Sequence, residues 1–139
     1  MCCQFSMPVH TRILVADDDL QLLDTVAEAL RRLGADVVQA ESGAELIEQL
    51  ASEGPFDLVV TDISMPWMSG MQALRSVRTV GLGMPIIVMT AHGDERVSAQ
   101  VQALGRNAVL LHKPFELSEL ESVTTMLLSS KQPSADRPG

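Results

Sequence analysis

Four places along the chain carry side chains able to handle a charged oxygen compound. They are the run Asp17-Asp18-Asp19, the solitary Asp62, Thr90 and Lys113, and each stands at or just past the end of a short apolar run. Ionised carboxylates brought within a few ångströms of one another repel, so one or more must bind a proton unless a cation joins them. Mg²⁺ resolves that repulsion well, because it accepts a small number of carboxylates and fills its remaining positions with water and phosphate oxygens. Lys113 is one of only two lysines, the other being Lys131 near the C-terminus. Its ammonium is a point charge suited to a phosphate oxygen, and Thr90 adds a short hydroxyl donor for a second. A hard cation, an ammonium and a hydroxyl around Asp62 describe a carboxylate that accepts a phosphoryl group.

Each piece also has a plain structural explanation. The Asp run can cap a helix and favour its dipole. Thr90 can simply end a strand, Lys113 before Pro114 can be a solvated turn residue, and Asp62 can cap the turn into "SMPWMSG". What favours chemistry is that all four would have to fall on strand ends of the same sheet edge by accident.

That edge follows from the pattern of elements. "RILVA" (12–16), "DVVQA" (36–40), "LVVTD" (58–62), "MPIIVMTA" (84–91) and "AVLLH" (108–112) are short apolar, β-branched runs that predict strands. Between them lie segments of helical spacing. Leu23, Val26, Leu30 and Leu33 mark one stripe that stops at Gly34, and Leu46, Ile47 and Leu50 mark a second that stops at Gly54-Pro55. Residues 71–80 and 94–104 predict two more helices, and Leu117, Leu120, Val123, Leu127 and Leu128 trace a last one. Five repeats of strand and helix, with apolar strands, imply a parallel sheet covered on both faces. Right-handed crossovers then make it doubly wound, with its functional edge at the carboxyl ends of the strands. The weakly apolar second run is expected at one side of the sheet.

Composition narrows the class. The chain has 139 residues, enough for one domain, and 10 basic against 18 acidic residues give a net charge of −8. Direct binding to nucleic acid or to an anionic membrane is disfavoured. Aromatics are few and Tyr is absent, so the core must be aliphatic. Cys2 and Cys3 are adjacent and cannot frame a disulfide fold, which points to a reducing cytoplasm. No apolar run approaches the roughly 18 residues of a membrane helix, and "MCCQFSMPVHTR" lacks the pattern of a secretory signal. The expected division is an N-terminal extension over 1–10, one domain over 11–129 and a disordered tail over 130–139.

With "ILVADDD" (13–19), "LVVTDISMP" (58–66), "PIIVMTA" (85–91) and "HKPF" (112–115), the sequence resembles the receiver domain of bacterial two-component response regulators over about residues 11–128. The resemblance implies a flavodoxin-like α/β fold with five helices and a sheet of order 2-1-3-4-5. It implies Asp62 as phosphoacceptor, with Thr90 and Lys113 contacting the phosphoryl group. It also implies Mg²⁺ held by Asp18 directly, by Asp17 mainly through water, by Asp62, and by the backbone carbonyl of Ser64. Asp19 is left as a helix cap, and the Lys113–Pro114 bond is expected cis. The donor would be a phosphohistidine on a histidine kinase or histidine phosphotransferase, and the product an acyl phosphate that changes the surface offered to a downstream effector. The domain would be a monomer or weak dimer and catalyse only its own phosphorylation and dephosphorylation.

Departures from the family pattern are specific. The aromatic residue expected three positions before the lysine is Leu110 here; counted from Gly105 it is Val109. The loop after Asp62 carries Trp67 and Ser69, and Ser64 and His92 hold positions that influence dephosphorylation in the family. Two other classes remain in view: a receiver-shaped interaction module that works without phosphorylation, and a receiver piece of a hybrid kinase. A haloacid-dehalogenase-like phosphatase would need a second Asp where Ser64 stands. A phosphate-loop ATPase would need a G-x-x-x-x-G-K-[ST] motif, which the sequence lacks.

Overall fold

The computed structural model describes residues 11–62, 84–91, 99, 101–102 and 108–134, with side chains as far as Leu128. These residues form five strands: β1 (Arg12–Ala16), β2 (Asp36–Ala40), β3 (Leu58–Asp62), β4 (Ile86–Thr90) and β5 (Ala108–His112). All four pairings are parallel, and the order is β2-β1-β3-β4-β5, as the resemblance implied. The described helices are α1 (Leu20–Arg32), α2 (Gly43–Glu53) and α3 (Leu117–Ser134). The helix expected over 71–80 lies outside the described residues; of that over 94–104, Ala99, Val101 and Gln102 are described and are helical.

Alternation along the strands divides the core into two layers. Ile13, Val15, Leu58, Val60, Ile87, Met89 and Leu111 face α1 and α3, where they meet Leu23, Val26, Leu30, Leu120 and Leu127. Leu14, Ala16, Val59, Ile86 and Val88 face the other way, toward Leu46 of α2 and Val101. β3 and β4 are buried along their whole length. That is why they read as unbroken apolar runs rather than alternating ones. Each fully buried aliphatic side chain contributes roughly 1.5–3 kcal/mol, and that sum is what permits polar groups at the sheet's upper edge.

Local signals fix where the helices begin and end. The Asp19 side chain accepts the Leu22 N–H at 3.2 Å and caps α1 as expected. At the other end Gly34 takes φ 106°, and two backbone bonds, Gly34 N–H to the Arg31 carbonyl and Ala35 N–H to the Leu30 carbonyl, close the helix. Ser42 caps α2 by accepting the Glu45 N–H at 3.1 Å. α3 runs from Leu117 to Ser134; no Gly or Pro interrupts it before Pro133, which lies in its last turn.

Two polar clusters tie the sheet's margins. Arg12 pairs with Asp36 at 3.5 Å, lies 4.8 Å above the Phe56 ring, and hydrogen-bonds the Glu53 carbonyl. Its backbone N–H donates to Asp57 at 2.8 Å. At the outer strand, Arg31 donates to the Val37 carbonyl at 3.2 Å and to Gln39 at 3.1 Å, and Gln39 donates to Asp24 at 2.9 Å. None of the helices among the described residues is long and apolar enough to cross a membrane.

Candidate functional site

Strand register brings the polar residues together. Ala16 pairs with Thr61, so the next residues, Asp17 and Asp62, leave adjacent strands side by side. Asp62 pairs with Met89, the residue before Thr90, and Thr90 pairs with His112, the residue before Lys113. Two backbone bonds carry the ladders one step further: Asp17 N–H to the Ala40 carbonyl at 3.1 Å, and Lys113 N–H to the Thr90 carbonyl at 2.8 Å. The Lys113–Pro114 peptide is cis.

Lys113 closes the site. Its ammonium donates to Asp62 Oδ2 at 2.9 Å and to Asp17 Oδ2 at 3.0 Å, binding the ends of β1, β3 and β5. Asp17 is fully buried and Asp62 nearly so, whereas Asp18 is exposed. Ligand oxygens of Asp17, Asp18 and Asp62 all lie within 4.8 Å of one another. Three carboxylates at that spacing, two of them buried, form a cluster able to hold a metal ion, and the all-oxygen donor set suits a hard divalent cation.

The electrostatics follow from burial. Desolvation pushes the Asp17 carboxyl up to about 6, helped by the neighbouring charge of Asp62 and opposed by the Asp19 N–H and by Lys113. Burial works against the Lys113 ammonium, but hydrogen bonds and charge from Asp62 and Asp17 outweigh it and hold its pKa above the usual lysine value. The lysine is therefore a fixed positive charge, while the Asp17 carboxyl keeps its proton to a higher pH than an ordinary aspartate.

Of the residues singled out from sequence, Asp17, Asp18, Asp62 and Lys113 converge. Thr90 is buried at the same edge, yet by strand alternation it belongs to the layer of Ile86 and Val88, opposite the parity of Asp17, Asp62 and Lys113. Leu110 packs on that same layer and pairs with Val88, while Val109 packs against the other. Leu110 rather than Val109 thus shares Thr90's side of the sheet. Ser64, Trp67, Ser69 and His92 lie outside the described residues. Two contacts go beyond what the residue pattern foretells: Lys113 donates to Asp17 as well as to Asp62, and the Asp19 backbone N–H donates to Asp17 Oδ1 at 2.9 Å. Sequence marks Asp19 as a cap, and the bond two residues back is a consequence of that turn.

Comparison with known proteins gives a consistent answer. The family model described as the response regulator receiver domain matches residues 13–125. The response regulator MprA of Mycobacterium avium (strain 104) is 36% identical over 126 residues, which are 90% of this chain and 54% of that protein. MprA of Mycolicibacterium vanbaalenii is 38% identical over 128 residues, 91% of this chain and 53% of that protein. The chain thus spans about half the length of these relatives. Among solved structures, a CheY-like receiver domain protein from Methanospirillum hungatei JF-1 superposes with a TM-score of 0.84 at 26% identity, over 90% of this chain and 98% of that one. A receiver domain protein from Clostridium thermocellum gives a TM-score of 0.78 at 28% identity, over 88% and 97% of the two chains.

Proposed function

Because the chain belongs to the response regulator receiver domain family, we propose that Asp62 accepts a phosphoryl group from a phosphohistidine on a histidine kinase or histidine phosphotransferase. The domain is then a signalling switch of a two-component phosphorelay in the cytoplasm, not an enzyme that turns over an external substrate. The observation that carries this reading is Lys113 bridging Asp17 and Asp62 across three strand ends.

In the proposed reaction an Asp62 oxygen forms a bond to phosphorus as the phosphorus–nitrogen bond of the donor breaks. The electron pair leaves with the imidazole nitrogen, and the product is an acyl phosphate that water later hydrolyses. Asp17, Asp18, Asp62 and the Ser64 carbonyl would hold Mg²⁺, which when bound neutralises phosphoryl oxygens. Lys113 orients the Asp62 carboxylate and supplies a fixed positive charge to the phosphoryl group. Thr90 donates its hydroxyl to another phosphoryl oxygen. Since Thr90 sits on the α2-side layer with Leu110, its movement alters that layer and the surface presented to an effector. The aliphatic Leu110 takes the place where an aromatic side chain would otherwise respond.

Incubation of the protein with acetyl phosphate and Mg²⁺, followed by intact mass measurement, tests the assignment. A gain of one phosphoryl group is expected, lost in Asp62→Asn and retained in Asp18→Asn only at raised Mg²⁺. Absence of any mass gain on the wild-type chain would sink the proposal.

A further inference from the structure

Both oxygens of the buried Asp17 carboxylate are held, and by different kinds of group. Oδ2 accepts from the Lys113 ammonium at 3.0 Å, and Oδ1 accepts from the Asp19 backbone N–H at 2.9 Å. Lys113 itself is shared with Asp62 at 2.9 Å. A second cation entering this acidic cluster would compete for the oxygens that Lys113 now holds. The Asp19 N–H is the anchor on Asp17 that does not depend on charge.

The direction of that N–H is set by the start of α1. The Asp19 side chain accepts the Leu22 N–H at 3.2 Å, and the Asp19 carbonyl accepts the Leu23 N–H at 2.9 Å. These two bonds fix the residue in the extended conformation of a helix cap, φ −84° and ψ 101°. Asp19 is exposed, and its carboxylate is not one of the three whose oxygens converge. Its side chain therefore reaches the site only through its own backbone.

We infer that Asp19 is a positioning residue for the metal-holding carboxylate of Asp17, with the α1 cap and the cation site forming one mechanical unit. The inference rests on the reading of Asp17 as part of a Mg²⁺ site. Loss of the cap frees the Asp19 peptide to turn, the N–H leaves Oδ1, and the Asp17 carboxylate loses the orientation that presents it to the cation. The requirement is for a capping side chain, not for its negative charge. Asn or Ser serves as well as Asp in that role.

The test is Mg²⁺ affinity, read by isothermal titration calorimetry on the unphosphorylated full chain, with urea unfolding measured without metal. Asp19→Ala should weaken Mg²⁺ binding about tenfold, while Asp19→Asn and Asp19→Ser stay within about threefold of wild type. Ser42→Ala removes the equivalent cap of α2 and should lower the urea midpoint without changing Mg²⁺ affinity. Wild-type affinity in Asp19→Ala overturns the inference. So does equal weakening in Asp19→Asn, which would make the effect one of charge, or in Ser42→Ala, which would make it one of general stability. If the wild-type chain takes up no Mg²⁺ at all, the functional reading itself fails, and the inference with it.

Discussion

Asp17 and Lys113 are 96 residues apart in the chain and meet at 3.0 Å. The contact joins the first and last strands of the α/β alternation, across a sheet in which β1 and β5 are not neighbours. An ion pair with one fully buried partner is not a free gain, since desolvation offsets much of the Coulomb attraction. Its value here lies in what it prevents: two buried carboxylates facing each other without a compensating charge.

Removal of that charge is accordingly severe. Lys113→Met should lower unfolding free energy by about 3 kcal/mol in metal-free buffer, measured by urea denaturation. Mg²⁺ should restore much of the loss, because it supplies the missing positive charge to the same carboxylates. An equal loss with and without Mg²⁺ would show that packing of the lysine stem, not charge, accounts for the effect.

Mg²⁺ binding should depend on pH through Asp17. Its folded pKa is raised from 3.8 to about 6, so in the metal-free protein the carboxyl carries a proton below that value. The sign follows: the folded state holds the proton more tightly than the unfolded one. This group's contribution to stability is thus present at low pH and lost as pH rises from 3.8 through about 6. A cation must displace the proton, so apparent Mg²⁺ affinity should fall by about tenfold per unit of pH below the transition. Calorimetric titrations on either side of it should show the slope in wild type and its absence in Asp17→Asn.

Thr124 offers a test unconnected with the site. Its hydroxyl is fully buried in α3 and lacks a hydrogen-bond partner among the described residues. Thr124→Val keeps the shape and removes the orphan group, and should stabilise by about 1 kcal/mol in urea unfolding. Thr124→Ser keeps the hydroxyl, removes a methyl, and should destabilise. The opposite order would place a partner on the hydroxyl.

Gly54 and Gly34 should both resist replacement, for different reasons. At Gly54 φ is −64°, which any residue adopts, but an added Cβ would lie 2.7 Å from the Leu50 carbonyl oxygen. That oxygen is backbone in the last turn of α2, so Gly54→Ala must unwind part of the turn and should cost about 1–3 kcal/mol. At Gly34 the cost is conformational, from φ 106°, and Gly34→Ala should lose about 1 kcal/mol. Thermal unfolding of the two variants compares them directly.

The elements are legible because burial writes itself into sequence locally. "LVVTD", "DVVQA" and "AVLLH" coincide with β3, β2 and β5, and "MPIIVMTA" exceeds β4 by two residues at its start and one at its end. Asp19 as a cap and Gly34 as a stop are equally visible, since caps depend on residues a few positions apart. The site is legible as an order of residue types along strand ends. Its internal geometry is not. Whether Lys113 binds Asp17 as well as Asp62, and whether Leu110 or Val109 shares Thr90's layer, depends on register between strands distant in sequence. The end of α3 escapes for another reason, because the polar run Ser129–Gln132 carries no stop signal and Pro133 falls inside the last turn rather than before it.

Among the described residues β2 stands at one end of the sheet. Asp36 N–H and the Ala40 carbonyl both bond toward β1, so Val37 and Gln39, alternating with them, turn their backbone groups outward. An outward row of this kind is a template on which another chain can lay a strand. Arg31 already occupies the Val37 carbonyl, and its own place is fixed by Gln39 and, through it, Asp24. Any molecule extending the sheet on that side would first have to evict a guanidinium held at two points. Side chains of α1 thus cover part of the outer strand, and a second chain that met β2 at Val37 would find that acceptor already taken.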